Sequence, residues 1–280
     1  MTISKNHRFG LITFFALLAA AILVTMEPWK GSAKNPESSL KKVAPANISI
    51  LWKELASGYP QTPVTDAIRS YTGFDLAYNE SFEQASWVAY VLTRNEVETG
   101  TEPRSDNFRP DTSISTGSAI LADYRGSGFD RGHLAPAGDM KWNHYAMSES
   151  FLMSNMSPQD PSFNRGIWKK LEQHVRNWAV EKDSIYVVTG PVLSTVQTTI
   201  GESGVGVPGY YFKVLVDLSP PDHSLIAFLL PNQRSKEALE TFAVTVDSLE
   251  RFTGYDFFAS APDQAIVEWL EGQLDLESWN

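Results

Sequence analysis

A chain of 280 residues with 42% apolar side chains has enough material for a sizeable core, in one large domain or two small ones. It contains no cysteine, which excludes disulfides, thiolate metal sites and cysteine nucleophiles, so any metal must be held by oxygen or imidazole. The formal charge of −10, taken alone, argues against a nucleic-acid partner.

At the N-terminus, Lys5, His7 and Arg8 precede an uncharged, mostly apolar run of 18 residues from Phe9 to Met26. That is short for a membrane-spanning helix and long for the core of a signal peptide. Positive charge before the run predicts export of the chain beyond it, and no small-x-small cleavage site ends it. Residues 1–26 are therefore expected to be a membrane anchor, or a signal peptide if cleaved. Residues 27–47, with Pro28, Gly31, Ser32, Pro36 and Pro45, read as a polar tether, and residues 48–280 as one domain. Such a domain faces the periplasm or the mitochondrial intermembrane space, or is secreted after cleavage.

Phe74–Tyr78 and Ser86–Thr93 read as strands joined through the turn-prone Asn79-Glu80-Ser81. Arg104 to Asp111 is polar and expected to loop over the surface, and Tyr124 to Phe129 is a glycine-rich turn. Ile185–Thr189, Tyr210–Asp217 and Leu225–Leu230 read as further strands, with Gly201 to Gly209 as a hairpin connection. Ser248–Phe252 and Ala265–Leu274 read as helices, Gly254 ending the first. The mixture predicts an α+β domain around an antiparallel or mixed sheet.

Between these elements lies Asp130-Arg131-Gly132-His133, where a glycine lets the backbone bend and brings an imidazole into an open site. Histidine titrates near neutral pH, so His133 can accept a proton from water attacking phosphorus, while Asp130 either orients it or pairs with an arginine. Pro161-Ser162 starts a helix in which Ile167, Leu171, His174 and Trp178 have the spacing of a buried stripe. Asn164, Trp168, Glu172 and Arg176 come four apart on another face, which offers an amide oxygen, a carboxylate and a guanidinium. From the helix alone, a solvated face with a Glu172/Arg176 ion pair is the better explanation; the separate histidine-bearing turn shifts the balance towards a functional face. Residues 125–176 carry seven basic and five acidic side chains, a slightly basic patch on an acidic body. His144, His174 and His223 have no ligand-spaced partner and are taken as structural or exposed.

The run from Tyr124 to Ala137, with Ser154-Asn155-Met156-Ser157-Pro158-Gln159, Phe163-Asn164, Trp168 and Leu171-Glu172, closely resembles the DNA/RNA non-specific endonuclease family. Val188-Thr189-Gly190-Pro191, Tyr211-Phe212-Lys213, Ala227 to Asn232 and Thr253 to Phe258 extend the likeness, which covers roughly Leu76 to Phe258. The resemblance implies a ββα-metal (His-Me finger) fold and a metal-dependent endonuclease acting on DNA and RNA with little sequence preference. It implies His133 as general base, Asn164 as the one direct protein ligand of Mg²⁺, with Mn²⁺ as a substitute, and Glu172 as a ligand through water. It further implies that Arg131 and Arg176 bind the phosphate and that Asn155 positions the histidine loop. Arg104 matches a substrate-binding arginine of the endonuclease G-like branch, though its flanking residues differ. A homodimer is also implied. Two departures stand out: the absence of cysteine, and Gly138-Asp139-Met140 in place of the more usual alanines and a different polar residue.

Two other readings stay open on the sequence. One is a catalytically silent module that grips nucleic acid or a protein inhibitor; the other is a phosphodiesterase for small or lipid-linked phosphates near the membrane.

Overall fold

The computed structural model describes residues 58–64, 66–218 and 224–279; the expected anchor, the tether, residues 48–57 and His223 lie outside them. The strands, in chain order, are β1 (Ala67–Ser70), β2 (Asp75–Asn79), β3 (Gln84–Thr93), β4 (Asp130–His133), β5 (Met156–Gln159), β6 (Ser184–Pro191), β7 (Thr198–Ile200), β8 (Val205–Val207), β9 (Tyr210–Asp217), β10 (Leu225–Pro231) and β11 (Ala243–Val244). The longer helices are α1 (Lys169–Glu181), α2 (Val246–Thr253) and α3 (Gln264–Glu271). Strands β1-β2-β3-β6-β9-β10-β11 form one sheet in that order, antiparallel at every pairing. Two small two-stranded sheets, β4-β5 and β7-β8, stand apart from it. Among the described residues no helix is long and apolar enough to cross a membrane.

The expected strands are all present within a few residues, because this sheet is covered on both faces and its strands are almost continuously apolar. The period-2 alternation sorts them into two cores. Val88, Tyr90, Leu92, Val187, Tyr211 and Leu215 face one side, where Leu171, Val175 and Trp178 of α1 cover them. Trp87, Ala89, Val188, Phe212, Val214 and Val216 face the other, under Val246 and Leu249 of α2 and Val267 of α3. The β4-β5 strand pair lies on the α1 side, with Leu134 and Ala135 in the first core. Gly201–Gly204 is the turn between β7 and β8, as the glycine pattern predicts.

Two sequence expectations need correction. His174 is exposed and Val175 takes its place in the buried stripe, since both lie one turn from Leu171 and the apolar side chain is the one that gains by burial. The Arg104–Asp111 segment is irregular and runs over the surface as far as Pro110, but its last residue turns inward. Asp111 is buried and accepts hydrogen bonds from Tyr71 Oη, Ser154 Oγ (2.6 Å) and the Ser113 amide (2.9 Å). Burial pushes the Asp111 carboxyl up, but hydrogen bonds from Ser154, Tyr71 and Ser113 outweigh it and hold the group below its ordinary value.

Helix α2 starts at Thr245, whose hydroxyl accepts from the Ser248 amide at 3.2 Å, and ends at Gly254 with φ +75°. A Cβ at Gly254 would meet only Pro63 Cγ, at 3.4 Å, so the need for glycine is conformational. Gly254→Ala is expected to lower stability by about 1 kcal/mol, measured by denaturant unfolding; an unchanged midpoint would contradict the left-handed cap.

Candidate active site

Strand β4 is the Asp-Arg-Gly-His tetrapeptide itself, paired with β5 so that His133 lies opposite Met156 and Arg131 opposite Pro158. Residues two apart on a strand project to the same side, and Arg131 and His133 line one cavity of about 490 Å³ with Arg104, Asn164, Glu172 and Arg176. Gly132 projects the opposite way. Its backbone is ordinary extended strand rather than a bend, and a Cβ there would stand 2.2 Å from Gln159 Cδ. The glycine therefore serves close packing of the strand pair, not the flexibility expected from the sequence.

The chain leaving His133 is clipped by Asn155. Its Oδ1 accepts from the Ala135 amide at 2.9 Å, and its Nδ2 donates to Ala135 O (3.0 Å) and Ser150 O (2.8 Å). Asn155 is fully buried and does not line the cavity, so it acts on the site only through the loop it holds.

The facing segment begins at Asp160, which caps the Ser162 and Phe163 amides, and passes through a π-helical turn at Asn164–Trp168 before α1. Gly166 takes up the irregularity at φ −107° and ψ −110°. One extra residue per turn shifts the helical phase. Trp168 consequently turns away from the cavity into the core against Phe163 and Tyr211, while Asn164, Glu172 and Arg176 remain on the cavity side. The evenly spaced four-residue face is thus broken at Trp168.

Asp130 joins the two halves. It accepts from Asn164 Nδ2 at 2.9 Å and from Arg165 Nε at 2.8 Å and Nη2 at 2.5 Å. Of its two expected roles, pairing with an arginine is the one found. With Nδ2 committed to Asp130, the Asn164 side chain has its carbonyl oxygen left to offer a ligand.

The His133 ring sits edge-on to Phe151 (4.8 Å between centroids) and Phe108 (5.7 Å), and its Nε2 is buried without a hydrogen-bond partner. That leaves Nδ1 as the nitrogen for cavity chemistry. Burial, then the charges of Arg104 and Arg131, bring its pKa down to about 3, so the imidazole is neutral at physiological pH. The arginines are held over aromatic rings, Arg131 Cζ 4.0 Å from the Phe108 centroid and Arg104 Cζ 4.7 Å from that of Phe151. Arg104 also pairs with Asp106 at 2.7 Å.

Arg176 pairs not with Glu172 but with Asp139, Nη1 to Oδ1 at 2.7 Å, and Asp139 accepts from Tyr90 Oη at 2.8 Å. A Cβ at Gly138 would lie 2.9 Å from Arg176 Nη1, so the Gly138-Asp139 departure fits the space and charge of this guanidinium. Burial raises the Glu172 carboxyl and Lys213 opposes the shift; burial in turn lowers the Lys213 ammonium. Lys213 is fully buried in β9, has no hydrogen-bond partner, and stands 4.8 Å from the Trp168 ring centroid. Asp139 and Lys213 escaped the functional reading of the sequence. The available sign for Lys213 was a lone charge inside the apolar strand Tyr210–Asp217. Lys169 and Arg165 also line the cavity without having been singled out.

The model of the DNA/RNA non-specific endonuclease family matches residues 54–264. Human mitochondrial nuclease EXOG is 34% identical over 219 residues, which are 72% of this chain and 59% of that protein. Human mitochondrial endonuclease G is 35% identical over 204 residues, 68% of this chain and 69% of that protein. A chain in the crystal structure of the EndoG/EndoGI complex superposes with a TM-score of 0.66 at 31% identity, over 77% of this chain and 93% of that one. With the motif strand, the facing helix and the sheet all matched, the chain belongs to the DNA/RNA non-specific endonuclease family.

Proposed function

We propose that this chain is an exported, Mg²⁺-dependent endonuclease that hydrolyses phosphodiester bonds in DNA and RNA with little sequence preference. The observation that carries the reading is one cavity lined by His133, Asn164, Glu172, Arg104, Arg131 and Arg176, which are a base, oxygen donors and phosphate-binding cations in one place.

In this reading neutral His133 takes the proton at Nδ1 from the water that attacks phosphorus. Arg131 and Arg176 lie against the phosphate oxygens and offset the charge that grows on them, and Arg104 binds a neighbouring phosphate. Each guanidinium is braced by aromatic or acidic neighbours, so little ordering is needed when substrate arrives. Contacts to phosphate carry no base information, which accounts for low sequence preference. The donor set fits a hard cation: Asn164 Oδ1 would hold Mg²⁺ or Mn²⁺ directly and Glu172 through water, and one neutral ligand suits an ion that keeps most of its own waters. Bound there, the ion supplies positive charge for the phosphate and the leaving oxygen.

The apolar run Phe9–Met26 supports a membrane tether or export signal for a catalytic domain spanning residues 48–280. The EndoG/EndoGI complex supports a protein inhibitor as a further class of partner. The net charge of −10 predicts weak long-range attraction to nucleic acid, so capture depends on local contacts in the cavity.

His133→Ala is expected to lower kcat on plasmid DNA by about 10² to 10⁴-fold, the usual contribution of a general base; full turnover in the variant would remove His133 from the mechanism. Asn164→Ala should raise the Mg²⁺ concentration for half-maximal activity by at least roughly tenfold, and an unchanged titration would contradict the ligand assignment. Because the His133 pKa lies at about 3, its ring resonances should keep neutral-form NMR shifts from pH 8 down to pH 5. A titration midpoint near the ordinary value of about 6.5 would contradict the half-buried, cation-flanked base.

A further inference from the structure

On the opposite face of the sheet from the cavity, three carboxylates converge. Asp247 and Glu250 stand one turn apart on α2, and Glu271 is the last residue of α3. One oxygen from each can be chosen so that all lie within 4.8 Å of one another, the span of oxygens bound to one cation at about 2.4 Å. We propose that Asp247, Glu250 and Glu271 form a second cation site, of the calcium class, which ties the end of α3 to α2.

The independent observation is Glu271 itself. It is only 5% exposed, and among the described residues it has no hydrogen-bond or ion-pair partner, although its side chain points into the cluster. A carboxylate taken out of water that far without a donor is costly. The charges that bear on it most, Glu250, Asp256, Asp247 and Glu268, are all acidic, so no protein cation answers it. It also sits at the C-terminus of α3, the negative end of the helix dipole, which favours a cation and disfavours a carboxylate. Glu250 uses Oε1 to accept from the Phe257 amide at 2.8 Å and keeps Oε2 for a ligand. Burial, together with these acidic neighbours, pushes Glu271 up to about 8, and burial above all pushes Glu250 up to about 7. Three carboxylates drawn from two helices suit Ca²⁺, which accepts six to eight oxygens in flexible geometry, better than Mg²⁺, which demands an octahedron.

The test is thermal unfolding of the full chain at pH 8.5, in EDTA and in CaCl₂, for the wild type, for Asn164→Ala, and for Glu271→Gln and Asp247→Asn each made in the Asn164→Ala background. Asn164→Ala removes the cavity's own candidate ligand, so Ca²⁺ binding there does not confuse the result. Ca²⁺ should raise Tm by roughly 5 °C or more at a hundredfold excess over Kd in the wild type and in Asn164→Ala. Calorimetric titration of Asn164→Ala should show one Ca²⁺ per chain. The shift should vanish in Glu271→Gln; if that variant does not fold, the half-buried Asp247→Asn carries the test and should lose it too. No Ca²⁺-dependent shift in Asn164→Ala, or a shift retained in the cluster variants, overturns the site.

Discussion

The carboxylate of Asp130 is the contact on which the rest of the active cavity depends. It belongs to the motif strand, yet it accepts from Asn164 and Arg165 in the π-helical turn, so it fixes the distance between the strand that carries His133 and the helix that carries Asn164, Glu172 and Arg176. Hydrogen bonds to an ionised acceptor are stronger than neutral ones, and three of them converge on this group. Asn155 completes the frame from beneath by holding the loop that leaves His133. The two halves of the site are thus tied directly to one another.

Charge inside this frame is dense and only partly compensated. Asp139, almost inaccessible, answers Arg176; Lys213, fully buried, is the main positive charge acting on Glu172. Breaking a buried pair typically costs about 3 to 5 kcal/mol because it strands the remaining charge. In the function proposed above, such an arrangement serves substrate binding rather than stability. It holds one guanidinium ready and keeps a carboxylate under tension between burial and attraction, in a chain whose sheet has ample apolar contact on both faces.

Most of the fold was legible because two-sided burial makes β6, β9 and β10 read as continuous apolar runs, and Gly254 marks a helix end that only a left-handed residue provides. His133, Asn164, Glu172 and Arg176, which line one cavity, could be picked out from the motif and from helical spacing, while the roles proposed for them rest on the family resemblance. What escaped was set by tertiary packing. No periodicity foretells the π-helical turn, which turned Trp168 inward, and Val175 displaced His174 from the core by hydrophobicity alone. Gly132 looked like a hinge until its contact with Gln159 was visible. The Asp139 and Arg176 pair spans 37 residues, and Glu271 meets Asp247 and Glu250 only because two helices pack together.

The most direct measurement is incubation of the purified protein with supercoiled plasmid and with single-stranded RNA, in Mg²⁺ and in EDTA. A metal-dependent nuclease that reads only backbone phosphate should cut both substrates internally in Mg²⁺ and leave both whole in EDTA. Folded protein that spares both under Mg²⁺ and Mn²⁺ would contradict that function, and would leave a nucleic-acid- or inhibitor-binding module on the same fold.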